Sequence, residues 1–264
     1  MRAVVVGLAP VVALTLVLLA GCERPPAAAP ARVRVAAASD LKFALDDLLV
    51  AFRAARPGVE VEAVYGSSGN FYAQLSQRAP FDLFLSADVD LARRLADAGL
   101  SDGPPFPYAY GRLAVWAPRA SPLDVEALGL RAAAAPGVRA VAIANPQHAP
   151  YGRAAEEALR AAGLLEAVAP RLVLGDNVAQ TAQFVDSGSA DVGIIALSLA
   201  LAPGLRERGK HAVVPEDAHA PLAQGGVVLR WAQDPAAARD LVAFLTGAAG
   251  RDLLARYGFG LPPP

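Results

Sequence analysis

The sequence predicts an α/β fold of two lobes with a ligand cleft between them, and three observations lead there. From Arg32 onward, strand-like alternating runs and helix-like runs succeed one another, the pattern of mostly parallel sheets covered by helices. Two turn-rich breaks, at 99–107 and 219–226, interrupt this alternation. A chain that leaves one lobe and returns through two such crossings encloses a cleft, where ligands usually sit. Finally, two early strand-to-helix junctions carry small polar turns, Ala37-Ala38-Ser39-Asp40-Leu41 and Tyr65-Gly66-Ser67-Ser68-Gly69-Asn70.

Taken in order, Val33-Arg34-Val35 alternates as a half-buried strand over 33–37, and apolar residues then recur at helical spacing over 41–55. Val59-Glu60-Val61-Glu62-Ala63-Val64 alternates again, predicting a strand over 59–64, and Phe71 restarts a helical period over 71–77. Phe81-Asp82-Leu83-Phe84-Leu85 reads as a buried strand (81–86) with Asp82 and Asp88 bracing its turns, ahead of a helix over 89–98. Further strands are expected at 112–117, 140–144, 171–174, 191–195, 212–215 and 226–230, and helices at 151–162, 178–187, 235–245 and 249–257. The early segments and the C-terminal helices form lobe I (32–110 and 225–264), the middle of the chain lobe II (111–224). Trp116 and Trp231 are assigned to packing, and the charges at Arg93-Arg94 and 206–210 to solvated surface.

The N-terminus precedes the fold. Arg2, an apolar run over 3–20 and small residues before a cut site describe an export signal (1–21). The run is also just long enough for a membrane span, and Cys22, the one cysteine in the chain, decides between them. Leu19-Ala20-Gly21-Cys22 resembles the bacterial lipobox, which implies a diacylglyceryl group on Cys22 and cleavage before it. The Pro- and Ala-rich segment 22–31 then reads as a tether, and the mature chain has no disulfide and no thiol chemistry.

Composition narrows the function. A formal net charge of −1 over 264 residues, with scattered Lys and Arg, argues against nucleic acid as a partner. Three histidines, His148, His211 and His219, show no metal-ligand spacing, so no cation site and no cofactor are expected. Neither a P-loop nor a G-x-G-x-x-G appears, and Gly66-Ser67-Ser68-Gly69 is not the G-x-S-x-G elbow of hydrolases. His148 and His219 are read as turn residues. What remains is the pair of polar turns, each presenting hydroxyls beside the unpaired N–H groups of a helix start, where negative charge is favoured. Neither turn holds Lys or Arg. Neutral donors for an anion describe a receptor rather than a catalyst, although serines at such places also serve simply as helix caps.

Several blocks, in order and spacing, resemble the periplasmic molybdate-binding proteins of ABC importers across essentially all of the mature sequence. They are Ala36-Ala37-Ala38-Ser39, Gly66-Ser67-Ser68-Gly69, the stretch 79–88, Asn145-Pro146-Gln147-His148-Ala149-Pro150-Tyr151-Gly152, Gly175-Asp176-Asn177-Val178, Asp191-Val192-Gly193, Pro215-Glu216-Asp217-Ala218-His219 and Arg256-Tyr257-Gly258-Phe259. The resemblance implies a type II periplasmic-binding-protein fold that closes on molybdate, and on tungstate, and hands it to a membrane permease; ATP hydrolysis belongs to a separate subunit. It implies that Ser39 and Ser68 donate hydroxyl and backbone N–H to the oxyanion, and that Tyr151 and Val178 add main-chain N–H groups from the opposite lobe. A monomeric, extracytoplasmic, lipid-anchored receptor is expected.

Two departures stand out. The tyrosine hydroxyl that many relatives supply after the Asp-Val-Gly strand is replaced by Ile195-Ala196-Leu197. Asp40 stands where relatives often have Leu or Asn. Its N–H is expected to serve the ligand while its carboxylate turns outward to cap the following helix, away from the dianion. The competing readings are a receptor for sulfate or phosphate, an enzyme on the same two-lobed fold, and a transcriptional effector domain; the export signal and the lack of a helix-turn-helix segment oppose the last.

Overall fold

The computed structural model describes residues 31–263, together with Ala3. The export signal, Cys22 and the tether up to residue 30 lie outside the described residues; Ala31 already belongs to the first strand. No helix among the described residues is long and apolar enough to cross a membrane.

Among the described residues, ten strands form two five-stranded sheets. The first contains β1 (Ala31–Ala38), β2 (Val59–Gly66), β3 (Leu83–Ser86) and β4 (Phe106–Gly111); the second β5 (Leu113–Pro118), β6 (Val141–Ala144), β7 (Leu172–Gly175), β8 (Val192–Ala196) and β9 (Gly209–Val213); β10 (Leu222–Val228) returns to the first. The orders are β2-β1-β3-β10-β4 and β7-β6-β8-β5-β9. β1 pairs in parallel with β2 and β3, and β6 with β7 and β8, whereas β10 and β5 run antiparallel to both their neighbours. In each sheet, therefore, only the strand that has just crossed from the other lobe runs backwards.

The helices are α1 (Lys42–Ala55), α2 (Ser68–Ser76), α3 (Val89–Asp97), α4 (Val125–Leu128), α5 (Pro150–Ala161), α6 (Leu165–Val168), α7 (Val178–Asp186), α8 (Leu197–Leu201), α9 (Pro203–Arg208), α10 (Pro235–Thr246) and α11 (Ala248–Arg256). They cover both faces of the sheets, as period-two side-chain alternation requires. Along β1, Val33, Val35 and Ala37 pack with Leu45, Leu48 and Phe52 of α1 and Leu241 of α10, while Ala36 faces Phe71, Phe84 and Leu95 in a separate core. Each such Val, Leu or Phe contributes about 1.5–3 kcal/mol on burial. The second lobe has its own core around Trp116, Ile143 and Ile194. Trp116 is fully buried and Trp231 donates its indole N–H to Ala79 O at 3.0 Å, so both serve packing. Asp82 braces its turn as expected, accepting from Arg34 N at 2.6 Å and Gln233 N at 2.7 Å.

The two breaks differ from expectation. The first ends in a strand, β4. The second contains the start of β10, because Gln224-Gly225-Gly226 is extended despite its glycines. A Cβ on Gly225 would meet Val89 at 2.5 Å, and one on Gly226 would meet Phe84 O at 2.5 Å. Glycine here permits close strand and helix approach rather than a turn. β9 also lies earlier than the expected 212–215.

Candidate oxyanion site

The carboxyl ends of β1 and β2 face those of β6 and β7 across the cleft, the position where open α/β sheets bind ligands. From lobe I, β1 runs into a single 3-10 turn, Ser39–Leu41, and β2 runs through Ser67 into α2. From lobe II, the loop after β6 leads to α5 and Asn177 after β7 caps α7. These four junctions enclose a cavity of about 10 Å³ whose wall includes Ser39, Asp40, Ser68, Tyr151 and Val178. All five residues expected from sequence are thus brought together. About 10–15 Å³ is the least that holds one water molecule, so the lobes have closed to the scale of a single small solute.

Local chemistry explains how the donors are presented. Ser67, not Ser68, caps α2: its Oγ accepts from Asn70 N at 3.2 Å. Ser68 is 1 % exposed, and its Oγ accepts from Ala87 N at 3.0 Å. Ser39 is 3 % exposed, and its Oγ accepts from Ala179 N, across the cleft, at 3.3 Å. Neither Ser39 nor Ser68 is therefore the cap of its own helix. Because each oxygen accepts a backbone N–H, each hydroxyl proton is left over, and among the described residues neither proton has a protein acceptor. On the other wall, Tyr151 follows Pro150 at the start of α5 and Val178 opens α7. Their N–H groups fall among those a helix leaves without an internal partner. A Cβ on Gly152 would meet Ala144 O at 2.1 Å, so glycine lets α5 start directly against β6.

Asp40 departs from expectation. Its carboxylate does not turn outward and does not cap α1, whose first turn has no side-chain cap. It is 1 % exposed and its Oδ2 accepts from Tyr151 OH at 3.0 Å and Gln224 Nε2 at 2.6 Å. The outward position lost because α1 begins behind the 3-10 turn, while Tyr151 and Gln224 offer two donors inside the cleft. Burial pushes the carboxyl up to about 6, only partly offset by the hydrogen bonds from Gln224, Tyr151 and the adjacent backbone. The Tyr151 phenol is raised well above its ordinary value by burial and by Asp40.

Sequence reasoning missed two groups of residues. Gln224 lay in a stretch read as a turn, and nothing in its neighbourhood marked it. Ser67 and His148 stood inside recognised blocks but form a closure contact between the lobes. His148 Nδ1 lies 2.9 Å from Ser67 Oγ, which donates to His148 O at 3.0 Å, and Gly69 N donates to the same carbonyl at 2.9 Å. Asn70 to Asp176 at 3.0 Å and Arg153 to Asp88 at 2.6 Å extend this seam. A wider cavity of about 330 Å³ lies next to the site, but its walls mix Asp88, Asp90 and Glu157 with Arg93 and Arg153. The small cavity, with its surplus of neutral donors, is the one suited to an anion.

Fold and site together define a two-lobed receptor that closes around one small solute. Residues 33–260 match the bacterial extracellular solute-binding protein family, and the chain belongs to it. Among curated relatives, it is 36 % identical to the molybdate-binding protein ModA of Azotobacter vinelandii over 89 % of this chain and 92 % of that one. It is 35 % identical to the ModA of Rhodobacter capsulatus over 77 % and 79 % of the two chains. The solved structure of an Azotobacter vinelandii periplasmic molybdate-binding protein superposes with a TM-score of 0.81 at 30 % identity, covering 88 % of this chain and all of that one.

Proposed function

We propose that this protein captures molybdate, and tungstate, outside the cytoplasm and delivers it to the permease of an ABC importer. The observation that carries the reading is the pair of buried hydroxyls, Ser39 and Ser68, whose oxygens accept from the backbone and whose protons remain to be given. Ser39 and Ser68 donate from lobe I, with the Asp40 N–H beside them, and the main-chain N–H groups of Tyr151 and Val178 donate from lobe II. The anion is held through its oxygens; no protein atom reaches the metal. Lobe I, near 32–110 and 225–264, and lobe II, near 111–224, close about the two crossings. The protein performs no reaction of its own, works as a monomer, and is tethered to the membrane by a lipid on Cys22; substituting Cys22→Ser is expected to release it from the membrane fraction.

Donors fixed in the main chain cannot follow a smaller tetrahedron inward, so the cleft selects by size. Calorimetric titration of the mature chain with molybdate, tungstate, sulfate and phosphate tests this. Similar affinities for the first two, with sulfate and phosphate far weaker, are expected; tight sulfate binding would overturn the reading. One observation favours a second reading: the buried Asp40 carboxylate is an acceptor, which suits a protonated anion such as hydrogen phosphate.

A further inference from the structure

Asp40 is the one feature of the cleft that a neutral-donor receptor does not explain. Its Oδ2 takes two hydrogen bonds, one from Tyr151 in lobe II and one from Gln224 on the strand that re-enters lobe I. Its Oδ1 is buried and has no hydrogen-bond partner of good geometry. The cluster packs closely against the other crossing as well, since a Cβ on Gly111 would meet Tyr151 OH at 2.3 Å and Gln224 Nε2 at 2.8 Å. A buried carboxylate in the wall of a cavity built for a dianion opposes binding, and an unpartnered oxygen there compounds the cost.

We propose that the site takes up its oxyanion together with one proton from solvent, carried by Asp40 on Oδ1 as a carboxylic acid. The inference rests on the oxyanion reading above. The change is a simple protonation: carboxylate plus solvent proton gives carboxylic acid, no bond of the anion is altered, and the proton returns to solvent when the anion leaves. Protonation turns the unpartnered Oδ1 into a hydroxyl donor of a residue that lines the same cavity as Ser39 and Ser68, and Oδ2 keeps its bonds to Tyr151 and Gln224.

Beyond those two bonds and the adjacent backbone N–H groups, no cation among the described residues is paired with the carboxylate. From β4 comes Tyr108, from α5 Tyr151, from β10 Gln224, and from α8 the Ser198 hydroxyl, which donates to Asp40 O at 2.7 Å. Ala179 of α7 is engaged with Ser39. Lys42 of α1 is turned to Asp46, at 3.7 Å, and to the ring of Tyr65. Both phenols, Tyr108 and Tyr151, are raised well above their ordinary range by burial and stay neutral. In the closed cleft burial raises the Asp40 carboxyl to about 6. A dianion beside it disfavours the carboxylate further, so the bound state holds more protons than the free state above that pH. Affinity is then greatest below about pH 6 and falls by about tenfold per pH unit above it, up to the raised value of the complex.

The test is calorimetry of the mature chain with sodium molybdate at pH 7.5, in two buffers of different protonation enthalpy, repeated from pH 6 to 8.5. Uptake of about one proton per anion bound is expected, with the tenfold-per-unit loss of affinity. Asp40→Asn, in which the amide stands in for the protonated acid, is expected to bind with no proton uptake and a flat profile over this range. Tight molybdate binding by the wild-type chain without proton uptake would overturn the inference and leave the oxyanion reading intact. Uptake that persists in Asp40→Asn would overturn it too. Failure to bind molybdate at any pH would instead remove the reading on which it rests, and tight phosphate binding without proton uptake would assign Asp40 to a protonated anion. The wild-type buffer pair decides the matter even if the variant does not fold.

Discussion

The two walls of the cleft do the same work with different chemistry. Lobe I offers side chains: the Ser39 and Ser68 hydroxyls, oriented by backbone N–H groups at 3.3 and 3.0 Å. Lobe II offers the main chain at the starts of α5 and α7, while the buried Tyr151 side chain gives its hydroxyl to Asp40 and that of Val178 packs in the core. A side-chain donor is lost by one substitution. A main-chain donor persists under almost any substitution that keeps the helix start in place. The wall of lobe I is therefore chemically fragile, and that of lobe II, apart from the Tyr151 hydroxyl on Asp40, depends on backbone position.

The largest expected effect comes from preventing the two walls from meeting. Gly69 lies against the carbonyl of His148, which a Cβ would meet at 2.4 Å, and that carbonyl is backbone and cannot step aside. Gly69→Val should leave lobe I folded but hold the lobes apart. Overpacking of about 3 kcal/mol or more in the closed form corresponds to at least ~100-fold weaker molybdate binding. Titration together with small-angle scattering checks this; wild-type affinity in a compact particle would show that closure does not need this contact.

Next come the serines. Hydrogen bonds to a charged group contribute about 1.5–3 kcal/mol each, so Ser39→Ala and Ser68→Ala should each weaken binding about 10- to 100-fold. Ser68→Ala also leaves Ala87 N–H without its acceptor, for a further loss of about 1–3 kcal/mol in thermal or denaturant unfolding. Equal affinities of the variants and the wild type would reduce these serines to structural roles.

Stability against pH separates the walls at Asp40. The folded carboxyl lies near 6 against an ordinary 3.8, so folding is best supported below the lower value and support is lost as pH rises through the higher one. At neutral pH the buried charge costs about 3 kcal/mol, a ceiling set by the rise from 3.8 to about 6. Asp40→Asn should therefore unfold at higher temperature than wild type at pH 7.5 and at nearly the same temperature at pH 4. A constant difference across that range would mean that Asp40 is not the titrating group.

The smallest effect belongs to Val178→Ala. The main-chain donor remains, so affinity should change by less than about threefold, while loss of the buried side chain lowers stability by about 1–2 kcal/mol. A tenfold loss of affinity with unfolding unchanged would show that the side chain, and not its N–H, serves the anion.

The sequence by itself determined the alternating architecture, the four strand-to-helix junctions and the residues gathered at them. Those features are local: period-two alternation in Val33-Arg34-Val35, helical spacing after Leu41, and Pro150 and Asn177-Val178 at helix starts. Only the tertiary structure decided which serine caps α2, because Ser68 is drawn inward by Ala87 N while Ser67 takes the end of the helix. It alone decided that Gln224-Gly225-Gly226 is strand, since the reason lies in close contacts with Phe84 and Val89, far away in the chain. It also reversed the expected orientation of Asp40. A helix start argues for a carboxylate that caps outward, a local preference worth about 0.3–1 kcal/mol. Two donors brought from residues 151 and 224 by the folding of two lobes outweigh that preference, and no local pattern in the sequence carries them.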